Sequence, residues 1–216
     1  LAFAHQYQLP LRVIDLHEIE DPNYKQNSPN RCYFCKLHLF SQIVPLANSL
    51  GFFYVADGAN VEDLGDFRPG LQAAKKYHIH HPLIEAGLSK SDIRLIAKNM
   101  NLPIWNKPSM ACLASRFPYG EEISLEKLLR VAKAESYLRS LGFNEFRVRS
   151  HGNLARLEMG EKDQEKAFLL RNSIAQELKN IGFLWVCLDC LPFQSGSMNL
   201  MLSYLNHHEL SKPSKS

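Results

Sequence analysis

A chain of 216 residues in which 45% are aliphatic or aromatic is long enough for one large domain or two small ones and can bury a core. A formal charge of +3 is too small to imply nucleic acid, and no basic run is interleaved with aromatics, so small anionic ligands are the charged partners left to consider. No apolar run reaches the length of a membrane span, no signal pattern opens the chain, and five cysteines, an odd number, suit metal or redox chemistry in a reducing compartment better than a disulfide framework.

A cytoplasmic protein is therefore expected. Because the chain begins with Leu1, and its first residues read as the end of a helix running into a strand, a piece lacking its beginning is expected as well.

In chain order, Ala2 to Gln6 reads as helix, Pro10 breaks it, and Leu11 to Leu16 has the content of a buried strand. A polar loop from Asp21 to Asn30 leads to Arg31-Cys-Tyr-Phe-Cys-Lys36, which opens a helix carrying Leu37, Phe40 and Ile43 as far as Pro45. For Cys32 and Cys35 three readings stand open: a metal-thiolate pair completed from elsewhere, a redox pair, or packing. Phe52 to Ala56 is a continuous apolar run of the kind buried on both faces of a parallel sheet. It runs into Asp57, Asn60, Glu62, Asp63 and Asp66, where a ribose, an adenine edge or magnesium finds ligands at strand ends, or where a turn is simply rich in helix caps. Helices are predicted from Pro69 to Tyr77 and from Ser89 to Met100, the second capped by Ser89 with Asp92 at its third position. This alternation belongs to the α/β class.

The stretch from Lys107 to Gly120 sets Cys112 among small residues between two prolines, with Ser109, Ser115 and Arg116 nearby. Prolines deny helix to their predecessors, so a constrained loop is predicted; its cysteine is either a small buried thiol or a nucleophile, sulfur donor or metal ligand. A domain boundary is placed near Arg116, giving units 1–116 and 117–205 and a disordered tail 206–216.

In the second unit Ser124 caps a helix to Gly142 with a stripe of Leu128, Ala132, Leu138 and Leu141. Glu135 interrupts the stripe and is expected at its edge, reaching water, unless it has a partner or a function. A hairpin follows, Glu145 to Arg149 and Leu154 to Met159. Alternation gathers Arg147, Arg149, Arg156 and Glu158 on one face, either a site for phosphate or carboxylate or a solvated face with weak ion pairs. A helix from Asp163 to Asn180 and a strand from Phe183 to Asp189 complete an α-β-β-α-β unit. Cys187 and Cys190 form a second Cys-x-x-Cys, but residues three apart in a strand point to opposite faces; they would share a metal only if the strand ended between them, and packing is expected. Ser195-Gly-Ser-Met-Asn199 either receives an anion or turns the chain.

Taken as a series, Arg31-Cys-Tyr-Phe-Cys-Lys36, Asp57-Gly-Ala-Asn-Val-Glu-Asp-Leu-Gly-Asp-Phe-Arg-Pro-Gly70, Pro82-Leu-Ile-Glu-Ala-Gly-Leu88, Ala111-Cys-Leu-Ala-Ser-Arg-Phe-Pro-Tyr-Gly120, Arg147-Val-Arg149 and Ser195-Gly-Ser-Met-Asn199 resemble the LarE family over about Leu1 to Leu200. Members are ATP-dependent sulfur transferases that help make the nickel-pincer nucleotide cofactor of lactate racemase. The resemblance implies a Rossmann-like, PP-loop nucleotide-binding domain, here incomplete, followed by a smaller α+β domain. It implies ATP and magnesium as cofactors, a pyridinium dicarboxylate mononucleotide as substrate, and a homo-oligomer without nucleic-acid or membrane partners. Cys112 matches the thiol that attacks the adenylylated carboxylate and, in sacrificial members, ends as dehydroalanine. Cys32 and Cys35 together with Cys112 match the members thought to hold a [4Fe–4S] cluster, and the resemblance favours that type. It assigns Arg147 and Arg149 to substrate phosphate, and Ser115, Arg116, Glu135, Arg156 and Glu158 to the substrate site. Asp57, Asn60 and Asp63 fall on the nucleotide side. The family's phosphate loop would lie before Leu1, so poor ATP binding is expected of the chain as given. Competing readings are another PP-loop enzyme, a tRNA thiolase or an amide-forming synthetase, and a zinc-thiolate protein built on the two Cys-x-x-Cys pairs.

Overall fold

The structure is a computed structural model that describes residues 1–65, 68–107, 111–194, 196 and 201. Ala2–Gln6 is helical as predicted. The polar loop after Asp21 contains one helical turn, Pro22–Lys25, because the Asp21 carboxylate accepts from the Asn23 N–H at 2.8 Å and Pro22 stands at the first helical position. Helix α1 (Arg31–Ser49) begins at the first Cys-x-x-Cys pair and runs past Pro45, which was expected to end it. Pro45 lies four residues from the helix end, so the break it makes in the bonding falls in the last turns.

Helix α2 (Pro69–Lys76) crosses α1 at Gly70, where an added Cβ would come 3.2 Å from Lys36 Cγ. Phe40, Ala73, Ala74 and Ile79 bury a small core there, with Leu37 and Val55 at its margin. Helix α3 (Lys90–Asn99) carries the expected capping box: Ser89 Oγ accepts from the Asp92 N–H at 3.1 Å, and Asp92 Oδ2 from the Ser89 N–H at 2.9 Å. Its apolar Ile96 and Met100 are exposed.

Neither of the two strands predicted in this half forms a ladder. Leu11–Leu16 has no strand partner among the described residues, and Phe52–Ala56 is reduced to one parallel bridge, Ala56 with His80. A ladder needs a neighbour to take up its backbone groups, and the described residues supply only His80, whose N–H donates to the Val55 carbonyl at 2.9 Å. Phe53 consequently stands 91% exposed.

The sheet lies in the second half. Helix α4 (Leu125–Ser140) starts at Ser124, whose hydroxyl accepts from the Lys127 N–H. Its buried face is Val131, Ala134, Glu135 and Leu138, so the stripe is turned from the one predicted: Leu128 and Leu141 sit at the core's margin, and Ala132 faces a cleft. Strands β1 (Phe146–His151) and β2 (Leu154–Met159) form the predicted hairpin, with Arg147 opposite Glu158 and Arg149 opposite Arg156. The helix predicted from Asp163 to Asn180 is two, α5 (Gln164–Leu169) and α6 (Arg171–Ile181), separated at Leu170. Gly182, at φ +114°, ends α6 in a conformation few other residues adopt. Strand β3 (Trp185–Leu188) returns parallel to β2 and sets Cys187 beside Arg156. Phe146, Val148, Leu157 and Met159 pack on Val131 and Leu138 of α4 and on Ile174 and Leu178 of α6. The protein is thus mixed helix and strand, and no helix among the described residues is long and apolar enough to cross a membrane.

Tyr24, Ala114 and Phe117 belong to this same core, so packing runs continuously across the position of the predicted boundary. Polar bonds reinforce the join. Asn27 is fully buried at φ +51° and donates to the Pro118 carbonyl at 2.7 Å, while its own carbonyl accepts from the Gly120 N–H. Buried Arg31 donates to the Asn27 side chain and to the Ala114 carbonyl at 3.0 Å. Replacing Asn27 by Ala leaves both Pro118 and Arg31 short of a partner and puts a worse residue in the left-handed region, so Asn27→Ala is expected to cost about 3 kcal/mol. The check is the urea midpoint at unchanged slope; a loss under about 0.5 kcal/mol, the level of an ordinary surface change, would refute the role of this clamp.

Candidate active site

The short turn Leu113–Arg116 follows Cys112 directly, and both the N–H and the hydroxyl of Ser115 donate to the Cys112 carbonyl, at 2.9 and 2.7 Å. The backbone of the cysteine is therefore held from its own loop. Beneath it, the buried Arg116 guanidinium donates to Glu135 Oε1 at 2.5 Å, to Oε2 at 3.2 Å and to Ser115 Oγ at 2.8 Å. Glu135 does not reach water as expected. It is 1% exposed, and it accepts from Arg139 at 3.1 Å and from the Val148 N–H at 3.3 Å as well as from Arg116. The stripe is rotated so that Glu135 faces the open edge of β1, where backbone N–H groups without a neighbouring strand need an acceptor.

The polar face of the sheet is assembled as alternation predicted. Arg149, nearly buried, pairs with Glu158 through two nitrogens at 2.9 and 2.7 Å and donates to the Ser115 carbonyl at 2.8 Å. Arg156 joins Glu158 to Asp189, at 2.8 and 2.9 Å. Arg147 lies over the Phe193 ring, 4.5 Å from its centroid. Burial first, then the neighbouring Arg116 and Arg149 charges, hold its pKa below the usual arginine value even with Glu135 and Glu158 acting the other way. Its surroundings thus favour an arriving anion.

Of these groups Arg116, Glu135, Arg139 and Arg147 line a cleft of about 510 Å³. Ala111 and Leu113, the two neighbours of Cys112, form part of its wall with Phe146, and Lys107, Arg139 and Arg147 supply charge at its surface. Its size falls in the range of small-ligand sites. Ser115, Arg116, Glu135, Arg149, Arg156 and Glu158 are thus brought into one network with Arg147 beside it. Arg139 and Lys107 were not singled out in the sequence; the one signal for Arg139 was its place four residues after Glu135 on a helix.

Asp57, Asn60 and Asp63 take part in none of these bonds. Asp57 Oδ1 lies 2.7 Å from His81 Nδ1, and Asn60 and Asp63 cap the turn Val61–Leu64, with Asp63 also paired to Arg68 at 3.0 Å. Asp66, Ser109, the tail 206–216 and all of Ser195–Asn199 but Gly196 lie outside the described residues. Cys187 and Cys190 do not pack as expected: β3 ends between them at Leu188, and both are exposed, Cys187 because it shares the polar face with Arg156.

Cys32 and Cys112 are exposed, and Cys35 is half-buried between Tyr24 and the core. Burial first, then Glu18, Cys112 and Cys32, push the Cys35 thiol up to about 11 against the pull of Lys36. The Tyr24 phenol is raised by the same burial and by Cys112 and Cys35. Among the described residues no group of three or more His, Cys, Asp or Glu side chains is placed to hold a single metal ion. Cys112, from a separate segment, is thus among the groups that act on the Cys35 thiol. Because a raised thiol keeps its proton through neutral pH, the thiolate fraction of Cys35 is small. At about pH 8, iodoacetamide followed by peptide mapping is expected to modify Cys32 and Cys112 well before Cys35; equal rates would contradict the packing described for Cys35.

No protein-family profile matches the chain. A Synechocystis protein is 48% identical over 194 residues, covering 88% of this chain and 72% of its own length. A Methanocaldococcus jannaschii protein is 34% identical over 192 residues, with 89% and 73% covered. The pyridinium-3,5-bisthiocarboxylic acid mononucleotide synthase of Lactiplantibacillus plantarum is 36% identical over 199 residues, which span 92% of this chain and 72% of that enzyme. With similarity of that extent running through the Cys112 loop and the arginine-bearing hairpin, the chain belongs to the family of this synthase, the LarE family.

Proposed function

We propose that the protein is an ATP-dependent sulfur transferase that adenylylates and thiolates carboxylates of pyridinium-3,5-biscarboxylic acid mononucleotide, a step toward a nickel-pincer nucleotide cofactor. The observation that carries this reading is the position of exposed Cys112, between two cleft-wall residues and above a buried Arg116–Glu135 pair, at the rim of a cleft rich in cations. In this reading the first half belongs to a PP-loop nucleotide-binding domain in which Asp57, Asn60 and Asp63 lie toward ATP and magnesium.

A carboxylate oxygen of the substrate attacks the α-phosphorus of ATP and pyrophosphate leaves, which turns a poor leaving group into a good one. The Cys112 thiolate then attacks the carbonyl carbon, AMP departs with the electron pair of the C–O bond, and a thioester remains. Loss of the Cys112 Cα proton forms the Cα–Cβ double bond as the Cβ–S bond breaks, releasing thiocarboxylate and leaving dehydroalanine. The cations of the cleft, Arg147 first, orient the mononucleotide phosphate. Arg116 and Arg149 hold the loop so that the thiol meets the carbonyl in a fixed geometry. Cys112 is among the groups that act on the Cys35 thiol, and in a second route Cys32, Cys35 and Cys112 would serve as ligands of a [4Fe–4S] cluster. Such a cluster supplies, when bound, a replaceable sulfide at the iron that no protein thiol ligates.

An intact-mass spectrum of the protein extended to the full length of its relatives, taken after anaerobic incubation with ATP, magnesium and the dicarboxylate mononucleotide, tests the reading. Loss of one hydrogen sulfide at Cys112 marks the sacrificial route, product with unchanged mass and bound iron marks the cluster route, and absence of product overturns the proposal. Cys112→Ser is expected to reduce product by at least about 1,000-fold on either route. Cys187→Ser and Cys190→Ser are expected to leave it within about twofold, being outside the loop and its supporting bonds; a large loss there would move the sulfur chemistry to the second cysteine pair.

A further inference from the structure

We propose that Arg139 is a specificity-determining residue of the cleft, presenting its guanidinium to a ring carboxylate of the ligand and setting the preference for a carboxylate over its neutral amide. This rests on the reading of the cleft as the mononucleotide site. Arg139 sits one helical turn after Glu135 on α4. It is held at two points, by the 3.1 Å bond from Nη2 to Glu135 Oε2 and by its position over the Phe146 ring, 5.6 Å from the centroid. The side chain is nonetheless 56% exposed. A guanidinium has five N–H donors, and the bond to Glu135 engages one of them. The planar group is thus held in place on the wall of the cleft with further donors beyond the one given to Glu135, and arginine takes a carboxylate through paired bonds from such a group.

Arg116, the other arginine on Glu135, is placed differently. It is buried, and its nitrogens are engaged by Glu135, Ser115 and the Cys112 carbonyl. Glu135 therefore divides its charge between an arginine that supports the loop and one that faces the ligand. Four cations, Lys107, Arg116, Arg139 and Arg147, line the cleft against the single carboxylate of Glu135. A phosphate at Arg147 still leaves positive charge at the Arg139 and Lys107 side, which a ligand with a second anionic group satisfies and a neutral one does not.

The experiment is titration calorimetry on the full chain with the pyridinium dicarboxylate mononucleotide and with its dicarboxamide counterpart, in wild type, Arg139→Gln and Arg139→Lys. Wild type is expected to prefer the dicarboxylate. Arg139→Gln is expected to weaken the dicarboxylate roughly 10- to 100-fold, the size of a lost charge-assisted bond, and the amide by less than about threefold. Arg139→Lys, which keeps the charge, should recover part of the preference, and in turnover the loss should fall on KM rather than on kcat. Equal weakening of both ligands, or a preference left intact in Arg139→Gln, would reduce Arg139 to a structural partner of Glu135 and overturn the proposal alone. If wild type bound neither mononucleotide, the reading of the cleft would fall with it.

Discussion

Taking a carboxylate out of water is costly unless donors converge on it, and at Glu135 they arrive from three separate parts of the chain. Arg116 comes from the cysteine loop, Arg139 from the same helix, and the Val148 N–H from the edge of the sheet. Losing one of them leaves a carboxylate that is itself only 1% exposed short of a donor. The position of the Cys112 loop is thereby tied to the packing of α4 on β1, so the site's precision derives from the core. The second buried pair, Arg149 with Glu158, repeats the device on the other side of β1 and ends on the carbonyl of Ser115.

The same loop is gripped from the other direction by the start of α1. Asn27 and Arg31 reach the carbonyls of Pro118 and Ala114, and Tyr24 enters the apolar cluster beside Ala114 and Phe117. Because Arg31 immediately precedes Cys32, the bonds that fix the loop also fix the first cysteine pair with respect to Cys112. A buried arginine and the cysteine pair are thus neighbours in sequence for a geometric reason: the residue that anchors the helix start determines where the next turn's thiols stand.

What the sequence made legible was largely local. Ser89 with Asp92, and Ser124 before its helix, announced helix starts because a cap is decided within four residues. The hairpin register followed from strict alternation around His151-Gly-Asn153, and with it the face shared by Arg147, Arg149, Arg156 and Glu158. The fate of Glu135 was not legible, since the two partners that bury it, Val148 and Arg116, are 13 and 19 residues away and the rotation of the apolar stripe decides whether it meets them. Leu11–Leu16 and Phe52–Ala56 show the same limit in reverse. Their apolar content suits a strand, but a ladder is a property of two segments, and among the described residues only His80 comes alongside. Cys187 was misjudged for a smaller reason: its place in the alternation puts it with Arg156, not with the apolar side.

The carboxylate that Glu135 sets against the Val148 N–H has a consequence beyond the cleft. An exposed strand edge is a template on which another chain can add a strand, and proteins blunt such edges with charge or cover. Here β1 is blunted at its middle by a buried negative charge that is already bonded, with the Leu113–Arg116 turn alongside. Among the described residues the Val148 N–H is therefore already taken, and the device that holds the Cys112 loop in place also occupies part of the strand edge next to it.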